Sequence, residues 1–247
     1  MKTIGIIGGM SWESSAEYYR IINETVKARL GGYHNAQSLM FTVDFHDIEA
    51  RQMSGDWEEM GVIMADAAVR LERGGADCVV LATNTMHKLA SSIETATKIP
   101  FLHIADATAR RIQQTTGKIQ TIGLLGTRFT MEDEFYAGRL REKFGLKVVV
   151  PDQTGREMVH NVIYNELVLG QVKESSRKAF VEIIADMQEQ QGAQAVILGC
   201  TEIMLLIQQE HSPIPVFDTT RIHAETAVAF AVGNSDTSTE GSGVNHH

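Results

Sequence analysis

Hydrophobic positions along the chain fall into short continuous runs that alternate with longer amphipathic stretches. Thr3–Ile7, Cys78–Ala82, Gln120–Leu125 and Ala195–Leu198 hold runs of Ile, Val and Leu punctuated by glycine. Such runs predict strands covered on both faces, the condition of a parallel sheet. Further strands are predicted at Ser38–Val43, Pro100–His103, Lys147–Val150 and Pro215–Phe217. Helical periodicity marks Trp12–Leu30, Trp57–Arg73, Ala105–Gln114, Val159–Leu169, Ser175–Gln191 and a final stretch from Thr220 to Val232. Shorter helical pieces are expected after Asp44, from Met86-His87-Lys88, at a capped start Thr130–Asp133, and at Cys200-Thr201-Glu202. Strands alternating with helices imply an α/β fold with parallel sheets.

The pattern occurs twice. Ile4–Gly8 matches Ile122–Gly126 at an offset of 118, Thr83 matches Cys200 at 117, and Ile99-Pro100-Phe101 matches Ile214-Pro215-Val216 at 115. Collinear matches at nearly constant spacing indicate an internal duplication. The expected architecture is two similar α/β lobes related by a pseudo-twofold axis. Residues 1–116 form the first, joined by a returning C-terminal helix, 219–232, and residues 117–218 form the second. From Gly233 the composition falls to Gly, Ser, Thr, Asn and Asp, so 233–247 is read as a disordered tail or expression remnant.

Composition narrows the function classes. A net charge of −9 disfavours nucleic acid and anionic membrane surfaces. The two cysteines, Cys78 and Cys200, imply no disulfide framework, and with no signal peptide or membrane span in the sequence a cytoplasmic location is expected. No HExxH, CxxC or P-loop is present, and no metal site is predicted. His87, His103 and His223 fall near strand ends or helix starts, but a lone histidine is more often a packed or surface group than a catalyst.

Ligands of open α/β sheets bind beyond the carboxyl ends of strands. Thr83 and Cys200 both follow such ends, so the two halves should present them on opposite walls of one cleft. A thiol at a helix start would sit in positive potential, which lowers its pKa. The turn Gly8-Gly9-Met10-Ser11 exposes backbone N–H groups before a helix that Ser11 caps, suited to a carboxylate or phosphate. Arg51 and Gln52 follow a second strand end, and Arg51, Lys88 and Arg128 are available cations.

These residues lie in a series of ordered blocks: IGIIGGMSWES, DFHDIEARQ, ATNTMHK, HIADAT, GTRFTMED, IYNELVLGQ, GCTEI and PVFDTTRIHAE. From Met1 to Val232 the chain resembles the cofactor-independent aspartate/glutamate racemases, and within them the aspartate racemase branch. Glutamate racemases of cell-wall synthesis open with Asp-Ser and carry His after Cys-Thr, where this chain has Gly9-Met10 and Glu202. The resemblance implies a homodimer without cofactor, in which one cysteine on each wall faces the substrate Cα. One thiolate removes the α-proton and the opposite thiol returns a proton to the other face. It further implies that Met10, Gln52, Asn84, Thr85, Thr201 and Glu202 line the amino-acid site. The chain departs from the pattern at Thr83, which replaces the first catalytic cysteine. A hydroxyl is a far weaker acid than a thiol. Cys200 is therefore the expected base and Thr83 the opposite-face donor. Two other outcomes stay open: one-thiol decarboxylation or isomerisation of a small dicarboxylic acid, and amino-acid binding without turnover.

Overall fold

The computed structural model describes residues 1–233; most of the tail 233–247 lies outside the described residues. The first half runs β1 Ile4–Gly8, α1 Trp12–Leu30, β2 Ser38–Thr42, α2 Phe45–Ser54, α3 Trp57–Arg73, β3 Cys78–Leu81, α4 Ala90–Ala96 and α5 Ile104–Gln113. The second runs β4 Thr121–Gly126, α6 Arg128–Glu132, α7 Glu134–Phe144, β5 Lys147–Val149, α8 Gln153–Asn165, α9 Glu174–Gln191, β6 Ala195–Gly199, β7 Val216–Asp218 and α10 Thr219–Val232. The fold is α/β with two parallel sheets, ordered β2-β1-β3 and β5-β4-β6-β7.

The duplication is written in the register. Ile4 pairs with Cys78 as Ile122 pairs with Ala195. Val79 bridges Phe101 as Val196 pairs with Val216. The first sheet thus carries a single bridge where the second carries β7, and Pro100–His103 is not a strand. The reason is local: His103 turns aside to cap α5, its Nδ1 accepting from the Ala105 N–H at 3.2 Å.

β1, β3 and β6 are buried along their whole length, as their apolar runs require. The first sheet is covered on one face by α1 and α10, through Tyr18, Ile22, Ala227 and Val228, and on the other by α3 and its neighbours. The second sheet is covered by α8 and α9 on one face and by α5 and α7 on the other. Helix α5, which the sequence reading put in the first lobe, packs on the second sheet through Ile104, Ala105 and Ile112. The lobes therefore exchange helices, α5 in one direction and α10 in the other.

Other expectations shift for identifiable reasons. Helix α8 begins at Gln153 rather than Val159 because Asp152 caps it, accepting from the Gly155 N–H at 2.7 Å. It ends at Asn165, and Leu167–Leu169 is a separate 3-10 turn. Thr127, not Thr130, caps α6, and the extended backbone of Asp133 stops it. The piece after Thr83 is a 3-10 turn, Thr85–Leu89, before α4. No α-helix begins at Cys200. A turn follows β6, then a 3-10 turn over Ile203–Leu205.

Three buried histidines sit between the sheets. His223 on α10 donates from Nε2 to the Leu102 carbonyl, 2.5 Å, and its Nδ1 accepts from the Tyr18 hydroxyl, 2.8 Å. His87 donates from Nδ1 to the Thr83 carbonyl, 2.7 Å, and its Nε2 accepts from the Ile104 N–H, 3.2 Å. Burial holds all three neutral: His223 falls to about 4, His103 to about 2, and His87 well below its ordinary value. Below pH 6.5, the ordinary histidine value, the unfolded chain takes protons that the native chain refuses. Stability should fall as pH drops from there, and His223 alone accounts for a loss of about 3 kcal/mol by the time it titrates natively. Urea midpoints followed from neutral pH downwards check this; a flat midpoint across that window would contradict the buried neutral cluster.

Candidate active site

Strand ends build the site. β1, β3, β4 and β6 all stop at one cavity, lined by Met10, Phe45, Gln52, Thr83, Asn84, Thr85, Thr127, Ile163, Tyr164, Val168 and Gly199–Glu202. It holds about 430 Å³ of open space, its mouth included. Glycine lets the strand ends close this tightly. Gly9 has φ +95°, and a Cβ there would lie 2.2 Å from the Val43 carbonyl oxygen. All eight residues singled out from the sequence (Thr83, Cys200, Met10, Gln52, Asn84, Thr85, Thr201 and Glu202) line this one cavity.

Thr83 stands on the β3 side and Cys200 on the β6 side, at equivalent points of the two halves. The Cys200 thiol lies 3.0 Å from Glu202 Oε2 and donates to it. Burial first, and the Glu202 charge second, push this thiol well above its ordinary value. This corrects the sequence reading: with no helix start beneath it, Cys200 gains no lowering from a helix dipole and is a protonated thiol in the free protein. Cys78 lies inside the first core, its thiol pushed up to about 12 by burial.

Glu202 also accepts from Thr201 Oγ1 at 2.8 Å, from Ser11 Oγ at 3.0 Å and from Ser14 Oγ at 3.3 Å. Ser14 further contacts Thr201 through its hydroxyl. The sequence reading gave Ser11 only a capping role, which it also has, and left Ser14 without one. Thr85 and Thr127 share a hydroxyl hydrogen bond of 3.0 Å across the cleft. Asn84 donates to Thr219 Oγ1 at 3.0 Å, and Gln52 points its amide nitrogen at Met86 Sδ, 3.2 Å away. That leaves Gln52 Oε1 and Asn84 Oδ1 buried without a partner, two unsatisfied acceptors in the cavity wall. Among the described residues Thr83 Oγ1 has no hydrogen-bond partner; its carbonyl accepts from His87 and its N–H donates to the Leu81 carbonyl.

The three candidate cations stand elsewhere. Lys88 pairs with Asp133 at 2.8 Å and lies 4.0 Å over the Trp57 ring. Arg51 donates to the Asp47 carbonyl, and Arg128 lines a separate hollow with Arg156 and His160. Among the described residues, Glu202 is the one charged side chain lining the cavity. Phe45, Thr127, Ile163, Tyr164 and Val168 were missed as wall residues; the last three lie in the block IYNELVLGQ, which was the available signal. Among the described residues no group of three or more His, Cys, Asp and Glu could hold a metal ion, and no helix is long and apolar enough to cross a membrane.

The family model for Asp/Glu/hydantoin racemases matches residues 7–227. The chain belongs to this family. A Yersinia pestis protein provisionally assigned as an Asp/Glu racemase is 52% identical, with a TM-score of 0.88 over 94% of this chain and 100% of that one. An aspartate racemase homologue from Pyrococcus horikoshii is 33% identical, with a TM-score of 0.83 over the same shares. The broad specificity amino-acid racemase RacX of Bacillus subtilis is 26% identical over 180 residues, 70% of this chain and 73% of the relative. Membership gives an isomerase of the racemase class.

Proposed function

We propose that the protein interconverts the enantiomers of aspartate or glutamate by removing and returning the α-proton, with Cys200 as base and Thr83 as opposite-face donor. What carries this reading is that a thiol and a hydroxyl from equivalent points of the two halves line one cavity. A planar carbanion held between them can take a proton from either side. Gln52 Oε1 and Asn84 Oδ1, both lacking partners, suit an α-ammonium group, which only donates. The Thr85 hydroxyl, which is free to donate when Thr127 does not claim its proton, suits the α-carboxylate. Carboxylate binding strengthens as the carbanion develops, because charge moves onto its oxygens.

The test is deuterium uptake from solvent at Cα of each enantiomer of aspartate and glutamate. Incorporation with inversion is the expected result. Release of CO₂ from a substituted malonate with no exchange at Cα would favour decarboxylation. Tight binding with neither would make the chain a binding protein.

A further inference from the structure

A second hollow opens between α4 and α7, over the start of α5. It holds about 1100 Å³ of open space, its mouth included, and shares no lining residue with the active-site cavity. Its floor is made of donors. His103 is 5% exposed, and its Nδ1 accepts from the Ala105 N–H, so the ring proton stands on Nε2. Burial, then the charges of Arg139 and Lys143, hold the ring neutral. Among the described residues the Nε2–H has no partner, and it is not sealed in by protein, so it opens to the hollow. Donors on side chains this buried are seldom left unpaired. Arg139 and Lys143 both bond the buried Asp106, Arg139 through two nitrogens at 2.5 and 3.0 Å. Two cations on one carboxylate leave the floor one positive charge in excess, and both keep N–H groups to spare. The rim is acidic. Glu134 and Glu142 are exposed and face Arg141, at 2.9 and 3.7 Å. Lys88, at one side, is held by Asp133. Glu94 is exposed and has no salt bridge among the described residues, yet lies near enough to add to the Asp106 pull that raises Arg139 above its ordinary value.

We propose that this hollow is a second amino-acid site, which takes a free α-amino acid as its zwitterion: the carboxylate on His103 Nε2, Arg139 and Lys143, the ammonium on Glu94. A simple anion would satisfy the floor and meet three carboxylates at the rim. A simple cation would meet the rim and leave the donors of the floor unanswered. A ligand that carries both signs a short distance apart answers both. The site stands one ring away from the Thr83 wall. His103 packs edge-on against His87, with ring centroids 4.6 Å apart, and His87 donates to the Thr83 carbonyl. An amino acid held here therefore bears on the strand end that carries Thr83 without entering the active-site cavity. Binding in the hollow does not depend on turnover, so it stands or falls apart from the racemase reading.

The experiment titrates glycine, the smallest zwitterion of this class, into the full chain with isotope-labelled histidines and follows each imidazole ring by NMR near neutral pH. His103→Gln assigns the ring. The His103 resonances should shift saturably. Gln52→Ala, which alters the active-site cavity, should leave the midpoint of that shift unchanged. Glu94→Gln, a substitution at an exposed position, should raise the midpoint about tenfold through the loss of one charge-assisted hydrogen bond. Acetate and methylamine supply the two halves of glycine separately. Acetate should need about tenfold more than glycine, and methylamine should leave the ring unmoved. No saturable shift overturns the proposal. So does a midpoint that moves with Gln52→Ala, since the ring would then report the active site, or one that ignores Glu94→Gln. Acetate binding as tightly as glycine overturns it too, and makes the hollow a site for simple anions. Solvent-deuterium exchange at Cα keeps the two readings apart: exchange with no shift at His103 overturns this inference alone, and a saturable shift with no exchange supports it while overturning the racemase reading.

Discussion

Cys200→Ser is expected to abolish both racemisation and α-proton exchange, by about a thousandfold or more, while leaving the fold intact. Sγ is the reacting atom, and a serine hydroxyl in its place is far harder to turn into a base. Glu202, which already accepts from two serines and a threonine, would accept from a third serine at little energetic gain for proton transfer. Stability should change by about 1 kcal/mol, because the new hydroxyl keeps the hydrogen bond to Glu202 and loses only part of the packing against the second core. Cys78→Ser is the control. It belongs to the first core with Ile4, Ile6 and Tyr18, so its cost falls on stability and not on turnover. Deuterium exchange and thermal melts on both variants check this pair. Exchange near the parent's rate in Cys200→Ser would rule Cys200 out as base.

Much of this site was legible because its parts sit in local patterns. The strand ends are marked by apolar runs and glycines, and β-register follows from them: the offset seen in the sequence between Thr83 and Cys200 is the offset between paired positions in the two sheets. The bounds of α1 were readable at both ends, since Ser11 caps one and Gly31 closes the other. What escaped depends on distant partners. The capping role of Ser11 accounts for it completely at short range, and its contact with Glu202 lies 191 residues away. Tyr164, near the end of α8, and Val168, in the 3-10 turn after it, reach the cavity from the second lobe, a placement that helical periodicity alone does not mark. The acidity of Cys200 was misjudged because a strand followed by a turn looks, in sequence, like a strand followed by a helix. The return of α10 to the first sheet was expected, but the passage of α5 to the second could not be read, since its apolar face is the same whichever sheet it covers.

Thr83 makes the two faces of the cavity chemically unequal, and the largest expected consequence is unequal exchange of the two enantiomers. Among the described residues no side chain hydrogen-bonds Thr83 Oγ1 to take its proton. His87 is the nearest titratable group bound to it, but its Nδ1 proton is committed to the Thr83 carbonyl and its Nε2 to the Ile104 N–H. Burial keeps that ring neutral, and no hydrogen bond links it to Thr83 Oγ1. A hydroxyl in this setting donates a proton to a carbanion readily and removes one from Cα poorly. The enantiomer whose α-hydrogen faces Cys200 should therefore exchange quickly, and its mirror image slowly. The equilibrium between enantiomers stays at unity, so the slow side must differ in rate constants and affinity together. Thr83→Cys, which supplies the missing thiol, should accelerate the slow enantiomer by about tenfold to a hundredfold and the fast one much less. Thr83→Ala should lose racemisation yet keep exchange on the enantiomer that faces Cys200, because abstraction and return there need only one wall. Deuterium uptake measured separately for each enantiomer of aspartate and glutamate, in the parent and both variants, decides the matter. Equal and fast exchange from both enantiomers in the parent would mean that a second base serves the Thr83 face.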